Sequence, residues 1–140
     1  MKKKKFPIVW FTPFLIWAKI ILLLCLLPSK TFPQENWFHT YHVDKLVHAS
    51  MFILLNCLLL FGFWKNSINK FLQRKIFFNS VAFFICITYG LFTEFLQKTL
   101  TTDRAFEWGD SVADTTGAFI GVFIFSFLSR KNFYFRQKKT

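Results

Sequence analysis

The side chains best suited to chemistry are ionisable residues set at helical spacing beside long apolar segments. Asp44 and His48 are four residues apart, and so are Asp110 and Asp114. Residues at this spacing share one face of a helix. Carboxylates beside an imidazole can exchange protons, bind a cation or receive an amine. The spacing therefore predicts a polar site, whose position depends on the helices that carry these residues.

Glu94 is the acidic residue that local physics explains least. It lies three residues before Gln97, near the carboxyl end of an apolar segment, where the helix dipole disfavours negative charge. A carboxylate among apolar residues in lipid needs a cation, a proton or hydrogen-bond donors. We therefore expect Glu94 to have a functional role.

For Asp44, His48 and Asp110, a purely structural role is the alternative to a role in a binding site. Asp44 and Asp110 are both suited to be the N-cap residues of helices, where a carboxylate accepts free N–H groups. His48 could be an interfacial side chain bonded to Asp44 or to water. A cap can also serve a site, so both interpretations stay open.

The fourth apolar segment carries a carboxylate and two glycines. Asp114 lies about one turn inside this segment, so we expect it to face the interior of the protein with a partner, for which Lys45 and Arg104 are candidates. Gly117 and Gly121 are four residues apart, and two small residues at this spacing predict close packing against another helix.

Four apolar segments are long enough to position these residues as membrane spans. They cover about residues 8–27, 46–64, 76–97 and 111–128, each close to the ~20 residues that a helix needs to cross a bilayer. Backbone groups in lipid must bond internally, and the connectors are short. The sequence predicts an all-α membrane protein with one domain over residues 1–140, folded as an antiparallel four-transmembrane-helix bundle.

The basic residues predict how this bundle is oriented. Four lie in the N-terminal tail, four between the second and third spans, and five in the C-terminal tail. In a four-span bundle these regions share one side, and basic flanks face the cytoplasm. We therefore expect a bacterial inner-membrane protein with both termini in the cytoplasm and its seven acidic residues toward the extracytoplasmic side. The first segment is expected to stay as an anchor, since no A-x-A-like cleavage site follows it.

Composition excludes several other classes of protein. Hydrophobic residues make up 54% of the chain, and its net charge of +11 is segregated from them, which disfavours nucleic-acid binding and indicates the lipid bilayer as the surroundings. The cysteines Cys25, Cys57 and Cys86 lie inside apolar segments, so they predict neither disulfides nor a thiolate metal site. We expect no cofactor and no metal, and the sequence does not indicate an oligomeric state.

Three short motifs follow one another along the chain. Asp44–His48 opens the second span, Thr93–Gln97 closes the third, and Arg104–Asp110 with Ala113–Ala118 and Gly121 opens the fourth. In order and spacing they resemble the DK-x-x-H, E-x-x-Q and R…D-x-x-A-N-x-x-G elements of the VanZ-like family of small bacterial membrane proteins. One departure is Asp114, which puts an ionisable group where the family pattern often has Asn.

The resemblance implies a role at the cell envelope. The namesake of the family is associated with low-level resistance to the glycopeptide teicoplanin, and a site on the outer face suits such a role. Our first hypothesis is an accessory envelope protein that binds a lipid-linked envelope component or a membrane partner protein. The expected binding residues are Asp44, Lys45, His48, Glu94, Gln97, Arg104, Asp110 and Asp114.

Two other functions remain as alternatives. The first is a membrane-surface enzyme with His48 and Glu94 as general base and acid and with Asp44 orienting the imidazole. A divalent ion held by His48, Glu94 and Asp110 is conceivable there, but this spacing is no metal-binding fingerprint. The second is a small transporter, which the lack of acidic residues in the cytoplasmic half disfavours.

Overall fold

Four long helices make up nearly all of the chain that the structure describes. The computed structural model describes residues 8–27, 43–66, 73–101 and 107–137. The helices are α1, Thr12–Leu26, with a 3-10 turn over Ile8–Phe11 before it, α2, Val43–Asn66, α3, Lys75–Leu100, and α4, Trp108–Gln137.

All four helices are long and apolar enough to cross a membrane, as predicted. The qualifying stretches are Ile8–Leu26, Val43–Asn66, Lys75–Leu100 and Trp108–Ser129. Each predicted span lies within its stretch, except that the first span was predicted to end at residue 27 and the stretch ends at Leu26. Apolar composition locates the part of a helix that lies in lipid, whereas helical hydrogen bonding continues through the polar residues at either end.

Asp44 and Asp110 are not the N-cap residues of their helices, which corrects one structural interpretation of them. Because α2 begins at Val43 and α4 at Trp108, both carboxylates lie inside the first helical turn. They still occupy the positive end of the helix dipole, where negative charge is favoured.

The helices alternate in direction, so α1 and α3 point one way and α2 and α4 the other. Hydrogen bonds join α1 to both of its neighbours. The indole Nε1 of Trp17 donates to the carbonyl oxygen of Met51 on α2 at 3.0 Å. The hydroxyl of Tyr89 on α3 donates to the carbonyl oxygen of Ala18 at 2.5 Å. These bonds use backbone carbonyls that lipid could not satisfy.

The closest pair of helices is α2 and α4, which contact each other more extensively than any other pair of described elements. Gly117 packs directly on the backbone carbonyl of Ala49, so that a Cβ atom at this position would overlap it. One turn further on, a Cβ at Gly121 would lie 2.9 Å from the carbonyl oxygen of Ile53. The predicted close packing at the two glycines is confirmed. It brings the polar first turns of α2 and α4 together.

Apolar side chains both fill the bundle and cover its outside. The buried hydrophobic residues are Ile21, Cys25, Phe52, Leu55, Leu59, Leu60, Ala82, Cys86, Ala118 and Phe125. Large exposed hydrophobic residues, such as Leu15, Phe84 and Phe123, form the surface expected to contact lipid. By contrast, several polar side chains are buried at one end of the bundle, and they define the candidate site.

Candidate functional site

A cluster of charged side chains lies where α2 and α4 begin and α3 ends. We call it the acidic cluster. Its members are Asp44, Lys45, His48, Glu94, Glu107, Asp110 and Asp114. Three helices and the residue preceding α4 contribute to it, so it exists only in the folded bundle.

Lys45 joins three carboxylates of the acidic cluster. Its ammonium donates to Asp44 at 3.1 Å, to Asp110 Oδ1 at 3.1 Å and to Glu107 at 3.4 Å. The bond to Asp110 ties α2 to α4. All three donor hydrogens of the ammonium are therefore directed at carboxylates, which leaves Lys45 poorly placed to bind a further anion.

His48 and Asp114 form the inner part of the cluster. His48 Nδ1 lies 3.0 Å from Asp114 Oδ1, and because an ionised carboxylate only accepts, the imidazole donates this bond. His48 Nε2 lies 3.8 Å from Asp110 Oδ2. Asp114 is 1% exposed, as expected for an interior residue. Its partner, however, is His48 and not Lys45, and the carboxylate that orients His48 is Asp114 and not Asp44.

A glycine on α3 makes room for the Asp114 carboxylate. A Cβ atom at Gly90 would lie 3.0 Å from Asp114 Oδ2 and 3.2 Å from its Cβ. This is closer than side chains normally approach each other, so the missing Cβ lets α3 close over the carboxylate. Asp114 Oδ2 has no hydrogen-bond partner among the described residues.

Glu94 is fully buried although it is ionisable and lies in the last turns of α3. Its Oε2 accepts a hydrogen bond from the backbone N–H of Glu107 at 3.2 Å. Its Oε1 has no hydrogen-bond partner in the part of the chain that the structure describes. One hydrogen bond does not compensate for burying a carboxylate, so Glu94 requires a further positive partner or a proton.

Two predicted site residues are not among the members of the acidic cluster. Gln97 is buried, but its amide Nε2 donates to the carbonyl oxygen of Cys25 at 3.0 Å, so it fastens α3 to the end of α1. Arg104 lies outside the described residues. Conversely, the site predicted from the sequence omits Glu107. The sequence does contain a signal for it, because Glu107 is the acidic residue that directly precedes Asp110, three positions earlier.

The charges in the acidic cluster are strongly unbalanced. Among the described residues, five carboxylates face one ammonium and one imidazole. Like charges held close together in a partly buried site repel each other and so raise the free energy of the folded protein. A cation bound between them reduces this repulsion. The cluster is therefore built to attract positive charge.

Two sets of side chains in the cluster have the spacing of cation ligands. His48, Glu94 and Asp110 each present one ligand atom within 4.8 Å of the others. Asp44, Glu107 and Asp110 do the same, but these three carboxylates already surround the ammonium of Lys45. The two sets share Asp110, whose two oxygens face Lys45 and His48 respectively.

The fold and the site together define a multi-pass membrane protein with a partly buried acidic cluster at one end of its bundle. A family model described as VanZ/LLP1 matches residues 8–129, which is most of the chain, so this protein belongs to the VanZ/LLP1 family. No curated protein and no solved structure matches the chain. The family resemblance inferred from the three sequence motifs is confirmed.

Proposed function

We propose that this protein is an accessory component of the bacterial cell envelope that binds a positively charged group at its acidic cluster. The protein lies in the inner membrane with the cluster on the extracytoplasmic side. The group that binds there is the amine of a lipid-linked envelope component. The observation that carries this proposal is the excess of carboxylates over cations in the cluster.

The contacts of Lys45 favour an amine over a phosphate as the bound group. From the sequence, Lys45, His48 and Arg104 could receive a phosphate, and the carboxylates an amine. Among the described residues, the Lys45 ammonium is shared by three carboxylates and His48 is bonded to a fourth. A phosphate approaching these groups would meet more negative charge than positive charge. An amine meets the opposite balance.

The position of the cluster supports a lipid-linked ligand. The carboxylates of Asp44 and Glu107 are about half exposed, and they belong to the first turn of α2 and to the residue before α4. Helix ends lie at the boundary between hydrocarbon and water, where lipid head groups are found. A ligand anchored in the same leaflet reaches this depth without leaving the membrane.

The test compares a variant lacking three cluster residues with the unchanged protein in living cells. A strain without the endogenous protein is supplied with either the wild type or the triple variant His48→Ala, Glu94→Ala, Asp110→Ala. We expect the triple variant to lose all of the envelope protection that the wild type provides, because the charge cluster is dismantled. The readout is the minimum inhibitory concentration of teicoplanin and of other inhibitors of envelope synthesis.

The matched control changes exposed hydroxyl residues on α2 and α4, two of the three helices that the triple variant alters. Within the part of the chain that the structure describes, Ser50 and Thr116 bond only to carbonyls of their own helices, Leu46 and Val112. The double variant Ser50→Ala, Thr116→Ala should protect as the wild type does. Both variants must reach the membrane fraction in equal amounts. Wild-type protection by a correctly inserted triple variant would refute the proposed function.

A second measurement addresses the chemistry of the bound group. The purified protein is placed in nanodiscs of phosphatidylglycerol with or without the amine-bearing lipid phosphatidylethanolamine. We expect the amine-bearing lipid to raise the thermal unfolding temperature of the wild type and not that of the triple variant, because only binding to the folded state stabilises it. An equal response of both proteins would exclude the acidic cluster as the amine site.

One observation favours an enzyme as the second candidate. Asp114 holds the imidazole of His48 as the orienting carboxylate of a general base does. In an enzyme, the variant Asp114→Ala should lower kcat far more than the apparent KM for a lipid-linked precursor, since a misoriented base slows the chemical step. Absence of turnover by the purified wild type on such precursors leaves the binding role.

A further inference from the structure

We propose that His48, Glu94 and Asp110 form a binding site for a divalent transition-metal ion of the zinc type. This site lies within the acidic cluster, and it goes beyond the envelope-binding role because it does not depend on which component approaches the half-exposed carboxylates of Asp44 and Glu107. It also departs from the expectation, drawn from sequence, that the protein binds no metal.

The distances between the three donors suit a small divalent ion. The ligand atoms of His48, Glu94 and Asp110 lie within 4.8 Å of one another, and His48 Nε2 lies 3.8 Å from Asp110 Oδ2. Zinc ligands at about 2.0–2.2 Å from the metal stand roughly 3.3 Å apart in a tetrahedral site. Small rotations of the three side chains therefore bring them to coordination distance, and a fourth position is left for another ligand.

Asp114 acts as a positioning residue for the imidazole. Its carboxylate accepts the Nδ1–H of His48 at 3.0 Å, which leaves the lone pair of Nε2 free on the side of Asp110, 3.8 Å away. Metal-binding histidines are commonly held in this way, with the second ring nitrogen bonded to a carboxylate. The pairing sets both the tautomer and the direction of the ring before an ion arrives.

The environment of Glu94 supplies an independent indication of a ligand. Its carboxylate is fully buried, one of its oxygens has no hydrogen-bond partner among the described residues, and the other accepts only a backbone N–H. A buried carboxylate with an unused oxygen is costly. A divalent cation between Glu94, His48 and Asp110 satisfies that oxygen and removes the cost.

The donor types select a transition metal over calcium or magnesium. Imidazole nitrogen with two carboxylates suits Zn²⁺ and similar ions, whereas Ca²⁺ and Mg²⁺ prefer sites built entirely from oxygen. The second acidic set does not compete for the ion, because the Lys45 ammonium already lies 3.1–3.4 Å from each of its carboxylates. A bound dication leaves the cluster with more negative than positive charge, so the site and amine binding are compatible.

The experiment measures zinc binding to the full-length protein purified in detergent without a histidine tag and stripped with a chelator. Zinc is titrated in competition with a chromogenic zinc indicator. We expect one equivalent to bind. The neutral variants His48→Gln, Glu94→Gln and Asp110→Asn should each weaken binding by more than the about 10–100-fold that loss of an outer-shell partner costs, since each replaces a direct ligand.

Asp114 and Glu107 provide the discriminating variants. Asp114→Ala should weaken zinc binding by about 10–100-fold, and Asp114→Asn should recover part of this loss, because an amide oxygen can still accept the Nδ1–H. Glu107→Gln should change the zinc Kd by less than about threefold, as its carboxylate contacts Lys45 and not the proposed ion. Cu²⁺ used as a spectroscopic probe should show nitrogen hyperfine coupling that His48→Gln removes.

Several results would overturn the proposal. These are failure of the wild type to bind zinc, wild-type affinity in Glu94→Gln, or a larger loss in Glu107→Gln than in Glu94→Gln, which would move the ion to the outer carboxylates. All variants are first required to elute as single species with unchanged helical circular dichroism. The triple variant of the envelope test removes these same three side chains, so the zinc titration of the wild type separates the two proposals. Zinc binding by a wild type that gives no protection would leave this site standing, and protection by a wild type that binds no zinc would leave the envelope role standing.

Discussion

Lys45 balances charge in the acidic cluster at the scale of a single residue. Its ammonium contacts three carboxylates on two helices and on the residue before α4, while its own side chain is 31% exposed. An isolated surface ion pair contributes little to stability, but a partly buried network contributes more because each carboxylate would otherwise repel the others. Lys45 therefore holds the first turns of α2 and α4 together.

Replacing Lys45 with methionine tests this role. Lys45→Met keeps the length of the side chain and removes the charge, so we expect a loss of about 1–2 kcal/mol in stability. The unfolding temperature of the purified protein should fall by about 3–8 °C, as followed by tryptophan fluorescence.

Lys98 is the matched control for that substitution. It lies in the last turn of α3, is exposed, and makes no ion pair with a described residue. Lys98→Met should leave the unfolding temperature nearly unchanged. An equal fall in unfolding temperature for the two substitutions would mean that the loss of any lysine charge is responsible and that the contacts of Lys45 are not.

At the scale of helices, the backbone contact between α2 and α4 sets the geometry of the site. Gly117 touches the Ala49 carbonyl, one turn beyond Asp114 on α4 and one residue beyond His48 on α2. The 3.0 Å contact between His48 and Asp114 needs this close approach. A wider separation of the two helices would leave both groups buried without each other.

Substituting Gly117 should separate the two helices. Gly117→Ala places a methyl group against a backbone carbonyl that cannot rotate away, and we expect a cost of about 2–3 kcal/mol. The melting temperature reports the loss of stability, and zinc affinity should fall with it because His48 is displaced from Asp114.

Gly109→Ala is the control for this prediction, since it makes the same change on the same helix. A Cβ at Gly109 would meet the flexible end of the Lys45 side chain at 2.6 Å, which can move aside. Because the shift disturbs the ion pairs of Lys45, we expect a cost of at most about 1–2 kcal/mol, partly offset by the higher helix propensity of alanine. A Gly117 variant as stable as the Gly109 variant would argue against the backbone contact.

The whole molecule has two chemically different ends. Opposite the acidic cluster, the ammonium of Lys65 lies 5.3–5.7 Å from the ring centres of Trp10, Phe61 and Trp64, and Lys75 donates to the carbonyl oxygen of Ser126 at 3.1 Å. Aromatic rings with basic residues are typical of the membrane boundary, and basic flanks face the cytoplasm. The proposed orientation follows from this asymmetry.

Cysteine labelling tests the orientation directly. Glu107→Cys, in the exposed part of the acidic cluster, should react with a membrane-impermeant maleimide in intact cells. Lys65→Cys should react only after the cells are permeabilised. The unchanged protein provides the background, since Cys25 and Cys86 are buried and Cys57 is partly buried. Labelling of Lys65→Cys in intact cells would reverse the topology and place the acidic cluster in the cytoplasm.

Much of the architecture could be predicted because it depends on composition and local spacing. The length of each apolar segment predicts a spanning helix, and short connectors favour neighbours of alternating direction. Gly117 and Gly121 predicted a close interface, and the position of Asp114 inside a span predicted its burial. The motifs around Asp44, Glu94 and Asp110 resembled the family to which the chain belongs.

The pairings inside the site were decided by tertiary structure alone. Asp44 and His48 share a helical face, yet Asp44 bonds to Lys45 while His48 bonds to Asp114, 66 residues away. Spacing within one helix indicates which residues lie on the same face, but it does not indicate how that helix is rotated against its neighbours. Backbone packing between helices sets this rotation, and so it directs Gln97 to α1 and brings Glu107 to Glu94.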